Sequence, residues 1–139
     1  MTLSIRNHIA GTVTAVTEGG VMATVKVRLV GGQEFTAAIT LEAVKELGLD
    51  EGSLVRTLIK STEVSLATGT VEGLSIRNRI SGTVTDVATG GAMASVQVSV
   101  EGGELTAVIT ADAVADLRLA PGASVTALIK STEASLAAA

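Results

Sequence analysis

The chain is one unit written twice. Leu3-Ser4-Ile5-Arg6-Asn7 returns as Leu74-Ser75-Ile76-Arg77-Asn78, and Leu58-Ile59-Lys60-Ser61-Thr62-Glu63 returns as Leu128-Ile129-Lys130-Ser131-Thr132-Glu133. The first pair is offset by 71 positions and the second by 70, so one residue near Gln33 has no counterpart. With that single gap, 39 of 64 aligned pairs are identical. A repeat of this length constrains the fold more than any local pattern, because the solution must be built from two like units. Residues 1–67 are read as the first domain and 74–139 as the second. Thr68-Gly69-Thr70-Val71-Glu72-Gly73 has the composition of a short flexible linker. Domains this small bury a limited share of their surface, and the chain has no Cys to staple them. Stability is therefore expected from packing between copies and from oligomerisation.

Within one unit the periodicity is that of strands. Ile9 to Val16 is rich in Thr and Val, and Glu18-Gly19-Gly20 supplies a turn. Val21, Ala23, Val25, Val27 and Leu29 then alternate with Met22, Thr24, Lys26 and Arg28, which predicts a half-buried strand. Gly31-Gly32 closes a hairpin into Glu34–Ile39. Thr40 has the character of a helix N-cap, with Glu42 in the first turn, Gly48 as the stop, and Ala43, Val44 and Leu47 as a short apolar face. Asp50-Glu51-Gly52 turns into a strand over 54–60, and 63–67 makes a fifth. The second unit repeats the scheme, with Ala120-Pro121-Gly122 as its turn. The expected fold class is mainly β: two tandem small five-stranded antiparallel barrels, closed or partly open, of the OB-like Greek-key kind, each with one short helix.

Composition excludes several functions. Without Cys there is no thiol chemistry or Cys-ligated metal. His8 is the only histidine and its counterpart is Arg79, so no His-based catalytic or metal site exists in both copies. No direct ligands for a metal cation are expected, and His8 itself reads as a surface or interface residue. The carboxylate pairs Glu42/Glu46 and Asp112/Asp116 read as solvated helix faces. The Gly-Gly pairs match no phosphate-loop spacing. Phe35 is the only aromatic and the net charge is −4, which argues against nucleic acid and anionic membranes as partners. No apolar run approaches the roughly 20 residues of a membrane span. The opening Met1-Thr2-Leu3-Ser4-Ile5-Arg6 lacks a signal-peptide pattern. The expectation is a soluble, cytoplasmic binding protein rather than an enzyme.

The positive charges carry more information. Lys26, Arg28, Lys45 and Arg56 become Gln97, Ser99, Ala115 and Thr126 in the second copy, whereas Arg6/Arg77 and Lys60/Lys130 stay basic. Both retained pairs sit beside hydroxyls, in Ser4-Ile5-Arg6-Asn7 and Lys60-Ser61-Thr62. In an extended segment Ser4 and Arg6 point the same way, and a strand ending in Lys60-Ser61 can lie beside them. Cations, hydroxyls and backbone N–H groups together make a donor-only pocket suited to a small oxyanion. The N-terminal turns after Thr40 and Thr110 offer further donors. The alternative left open is that Arg6 and Lys60 are solvated or paired with Glu63.

At these residues the chain resembles the molbindin, or Mop, domain family: Ser-Ile-Arg-Asn followed by Gly11-Thr12-Val13, the Gly31-Gly32 hairpin, Ile39-Thr40, and Leu58-Ile59-Lys60-Ser61-Thr62. The resemblance covers both copies, as in a double-domain molbindin. It departs from the usual Ser-Ala-Arg-Asn opening in having Ile5 and Ile76, which adds bulk without removing a donor. It implies molybdate or tungstate as the bound ligand, no organic cofactor, and homotrimers with oxyanions held at interfaces between domains of different subunits.

Carried over by position, the resemblance implies an oxyanion shell of Ser4, Arg6, Thr40, the backbone near Ala43, Lys60 and Ser61. In the second copy the shell is Ser75, Arg77, Thr110, Ala113, Lys130 and Ser131. Some family members have Ser at position 43 or 113; here the backbone N–H would serve alone. Asn7 and Asn78 either order the segment or contact an axial anion, and His8 and Arg79 are candidates for such an axial site. The function implied is an oxyanion store or buffer in molybdenum homeostasis. The alternative is a ligand-gated adaptor or sensor that docks on a regulator or transporter.

Overall fold

The computed structural model describes residues 1–139. The first repeat contributes β1 (Asn7–Glu18), β2 (Met22–Leu29), β3 (Glu34–Thr40), helix α1 (Leu41–Leu47), β4 (Leu54–Ile59), a 3-10 turn at Ser61–Glu63 and the short β5 (Ser65–Ala67). The second contributes β6 (Asn78–Gly90), β7 (Met93–Val100), β8 (Gly103–Thr110), α2 (Ala111–Asp116), β9 (Ser124–Ile129), a 3-10 turn at Ser131–Glu133 and β10 (Ala134–Ala138). All pairings are antiparallel. The two sheets run β10-β4-β1-β2-β3 and β5-β9-β6-β7-β8.

Each sheet therefore has five strands, but the fifth comes from the other repeat. Ala134 pairs with Ile59 and Ala138 with Val55, while Ser65 pairs with Leu128 and Ala67 with Thr126. The crossing is made in the segment after β4. A return onto β4 would need a tight hairpin, which favours positive-φ residues. Lys60 is extended at φ −64°, and no residue from Ser53 to Thr68 has positive φ. The chain instead crosses to the neighbouring sheet. Bulges between Val13 and Ala15 and between Val84 and Asp86 bend β1 and β6, and edge strands β10 and β3 of one sheet come into contact. The result is a pair of curled, partly open barrels.

The alternation read from β2 holds: Ala23, Val25, Val27 and Leu29 are buried. Val21, expected on the same face, precedes the strand and is 76% exposed. In α1 the Thr40 hydroxyl accepts from the Ala43 N–H, and Gly48 ends the helix at φ 61°. Val44 is buried, but Leu47 is exposed, so the helix's apolar face is narrower than expected. In α2 the position equivalent to Gly48 holds Arg118, the only non-glycine residue with positive φ, at 53°.

The core is a single cluster of 25 buried residues drawn from both repeats, with Phe35, Ile59, Ile80, Leu105 and Ile129 its largest fully buried members. The repeats also meet at their hairpins. A Cβ on Gly31 would overlap the Glu101 carbonyl oxygen, and Gln33, the residue without a counterpart, donates to that same oxygen at 2.9 Å.

Candidate anion-binding site

The β1–β4 ladder ends at the pair Asn7–Ile59, and the β6–β9 ladder at Asn78–Ile129. Arg6 and Lys60 are thus the first residues beyond one ladder, on adjacent strands, and Arg77 and Lys130 the first beyond the other. This is the juxtaposition expected of the Ser-x-Arg and Lys-Ser segments. All four cations are exposed. None is neutralised by a carboxylate: the one ion pair of the chain joins Lys26 to Glu34 at 3.8 Å. Glu63, the partner weighed for Lys60, makes no such contact.

Ser61 follows Lys60 at the start of its 3-10 turn, which lies against β8; the turn at Ser131 lies against β3. Both Lys-Ser segments therefore sit where the repeats interlock. The Ser61 Oγ is buried and has no hydrogen-bond partner. An orphaned hydroxyl of this kind is uncommon and leaves a donor available. Ser4 and Ser75 are exposed two residues before their arginines.

Asn7 and Asn78 occupy a different setting. Each is 2% exposed, on the inward side of its strand with Ile9 or Ile80. Asn7 accepts from the Thr106 N–H at 2.8 Å and donates to the Thr106 carbonyl at 2.9 Å. Asn78 does the same with Thr36, at 2.8 Å for both bonds. These amides tie the start of each repeat to the third strand of the other. The signal was present in the sequence, since Asn7 falls in phase with Ile9.

His8 and Arg79 likewise bond to backbone within the chain. The His8 Nε2 lies 2.6 Å from the Ile5 carbonyl oxygen. Arg79 donates to the carbonyls of Ile76, Leu74 and Val71.

Thr40 and Thr110 are not gathered with the cations of their own chain. Thr40 pairs with Met22, beside the Glu18 end of β1, whereas Arg6 lies at the Asn7 end of that 12-residue strand. Thr110 is four residues along β8 from Thr106, about 13 Å at the rise of a strand. The Ala43 and Ala113 N–H groups, expected to serve the anion, here donate to Thr40 Oγ1 and Thr110 Oγ1, at 3.1 Å each. The Leu41 and Ala111 N–H groups are engaged by the Val21 and Ala92 carbonyls. The threonine hydroxyls keep their own protons to donate.

A cavity of about 120 Å³ borders Lys130, but Glu63 and Glu133 share its wall. Two carboxylates make it unfit for a dianion.

The sequence and fold have clear relatives. A family model described as the TOBE domain matches residues 3–66 and again 74–136. Molybdenum-pterin-binding protein 3 of Clostridium pasteurianum is 39% identical over 66 residues, which is 48% of this chain and 97% of that protein. Molybdenum-pterin-binding protein MopB of Rhodobacter capsulatus is 42% identical over 137 residues, 96% of this chain and 50% of that one. A crystal structure of ModG, described as a cytoplasmic molybdate-binding protein and grown with molybdate bound, superposes with a TM-score of 0.97 at 40% identity, over 100% of both chains. The chain belongs to the TOBE domain family, as two tandem copies of its molybdate-binding, Mop-type unit.

Proposed function

We propose that this chain binds molybdate or tungstate as a cytoplasmic store or buffer and catalyses no reaction. The observation that carries the reading is the pairing of Arg6 with Lys60, and of Arg77 with Lys130, at ladder ends where none of the four cations makes an ion pair. The unpaired buried Ser61 hydroxyl adds to it, as do relatives whose names state molybdenum or molybdate binding. Molybdate near neutral pH is a tetrahedral dianion with four acceptor oxygens and no proton. Guanidinium, ammonium and hydroxyl donors satisfy all four. Hydrogen phosphate would turn its own O–H toward a donor, at a cost of about 1–3 kcal/mol. Sulfate carries no such proton and has to be discriminated by size.

Arg6 and Lys60 lie at one end of the sheet and Thr40 at the other, so a shell containing all of them takes its threonine from a neighbouring subunit. Exposed Val21 and Met22 beside Thr40, and Met93 beside Thr110, supply an apolar border that such a neighbour covers. A homotrimer with anions between subunits fits this division of donors. Without anion the clustered cations repel one another, so ligand stabilises the assembly. Equilibrium dialysis against molybdate, tungstate and phosphate tests the reading: tight uptake of the first two and weak uptake of phosphate is expected. Equal affinity for phosphate would overturn it.

A further inference from the structure

Arg79 makes three hydrogen bonds to one short stretch of backbone. Its Nε donates to the Ile76 carbonyl at 3.0 Å, one terminal nitrogen to Leu74 at 2.7 Å, and the other to Val71 at 3.2 Å. These three carbonyls belong to the segment that carries Ser75 and leads directly into Arg77. Gly69 precedes the segment and Gly73 lies within it, both at positive φ, and Leu74 and Ser75 are exposed. Little else fixes its path. In the first repeat the equivalent residue, His8, reaches back the same three positions to Ile5 but makes a single bond.

We infer that Arg79 is a positioning residue: its planar fork folds the 71–76 backbone onto the start of β6 and so presents Ser75 and Arg77 to the anion. The inference rests on the oxyanion reading given above. Ordering a flexible residue costs on the order of 1–2 kcal/mol, and Arg79 meets part of that cost before ligand arrives. A guanidinium suits the task because its donors are fixed in one plane, whereas a lysine has one rotatable head. The single bond of His8 leaves Ser4 and Arg6 the less tightly held of the two donor segments.

Residues 77 and 79 point the same way in an extended segment, so the charge of Arg79 also lies on the anion's side. The test has to separate charge from fork. Molybdate titrations of the full chain are compared for Arg79→Lys, Arg79→Gln and Arg79→His, with Arg77→Ala as reference, alongside thermal midpoints and amide exchange over residues 70–77. Lys and Gln at position 79 are expected to weaken molybdate binding by about tenfold, the lower end of what losing an outer-shell support costs. Amide exchange over 70–77 should rise in both, with the thermal midpoint unchanged. His, able to restore the bond to Ile76 as His8 does to Ile5, should recover part of the affinity. Wild-type affinity in Arg79→Lys would reduce the residue to its charge, and wild-type affinity in Arg79→Gln would deny it any role; either overturns the inference. If Arg77→Ala loses the second repeat's share of the bound molybdate while those variants keep it at wild-type affinity, the inference alone fails. If Arg77→Ala also keeps the full wild-type stoichiometry, the oxyanion reading fails with it.

Discussion

The side-chain amide of Asn7 closes a two-bond ring on the backbone of Thr106, 99 residues away, accepting from its N–H at 2.8 Å and donating to its carbonyl at 2.9 Å. Asn78 closes the same ring on Thr36. Each repeat is thereby latched to the other by paired, part-buried polar groups. Changing Asn7 to Ala strands one N–H and one carbonyl in a partly buried place. The expected loss is about 2–4 kcal/mol of unfolding free energy, read as a lower urea midpoint. A midpoint equal to that of the wild type would contradict the latch.

The exchanged strands make a prediction that two self-contained domains would not. Removing residues 134–139 takes β10 from the edge of β4, which belongs to the first repeat. Amide protection is expected to fall across Leu54–Ile59, far from the cut in sequence. Loss confined to β9 would mean that each repeat keeps its own fifth strand.

Arg118 holds at φ 53° the place that Gly48 fills at φ 61° in the first repeat. A side chain there is strained, and Gly adopts that conformation readily. Arg118→Gly is expected to raise stability by about 0.5–1 kcal/mol, measured by chemical denaturation. A decrease would show that the guanidinium makes up for the strain.

Thr57 is fully buried on β4 and its Oγ1 has no partner. The second repeat places Ala127 there. Thr57→Val keeps the shape and removes the orphaned hydroxyl, so a gain of about 1 kcal/mol is expected. A lower denaturation midpoint in this variant would reveal a use for the hydroxyl.

Much of this was legible in the sequence because the patterns were local. Alternation located β2 and β3, Thr40 and Gly48 bounded α1, and the two Lys-Ser-Thr-Glu segments marked where β4 and β9 end. The partnership of Arg6 with Lys60 followed from the same reasoning. The exchange of β5 and β10 did not, because Ser65-Leu66-Ala67 and Ser135-Leu136-Ala137 are identical and alternation is blind to which sheet receives a strand. The engagement of the Ala43 N–H by Thr40, and of Arg79 by the carbonyls before it, depended on side-chain reach rather than on period. Leu47 was misplaced because only Val44 of the seven-residue helix is buried in the core.

The central claim is that paired cations at the two ladder ends hold a tetrahedral dianion. Its most direct test is the molybdate bound per chain at saturation in the double variant Arg6→Ala, Arg77→Ala, set against the wild type by equilibrium dialysis and metal analysis. Uptake should fall to a small fraction of the wild-type value while the chain stays folded. Full stoichiometry in the folded double variant would place the anion elsewhere and contradict the account.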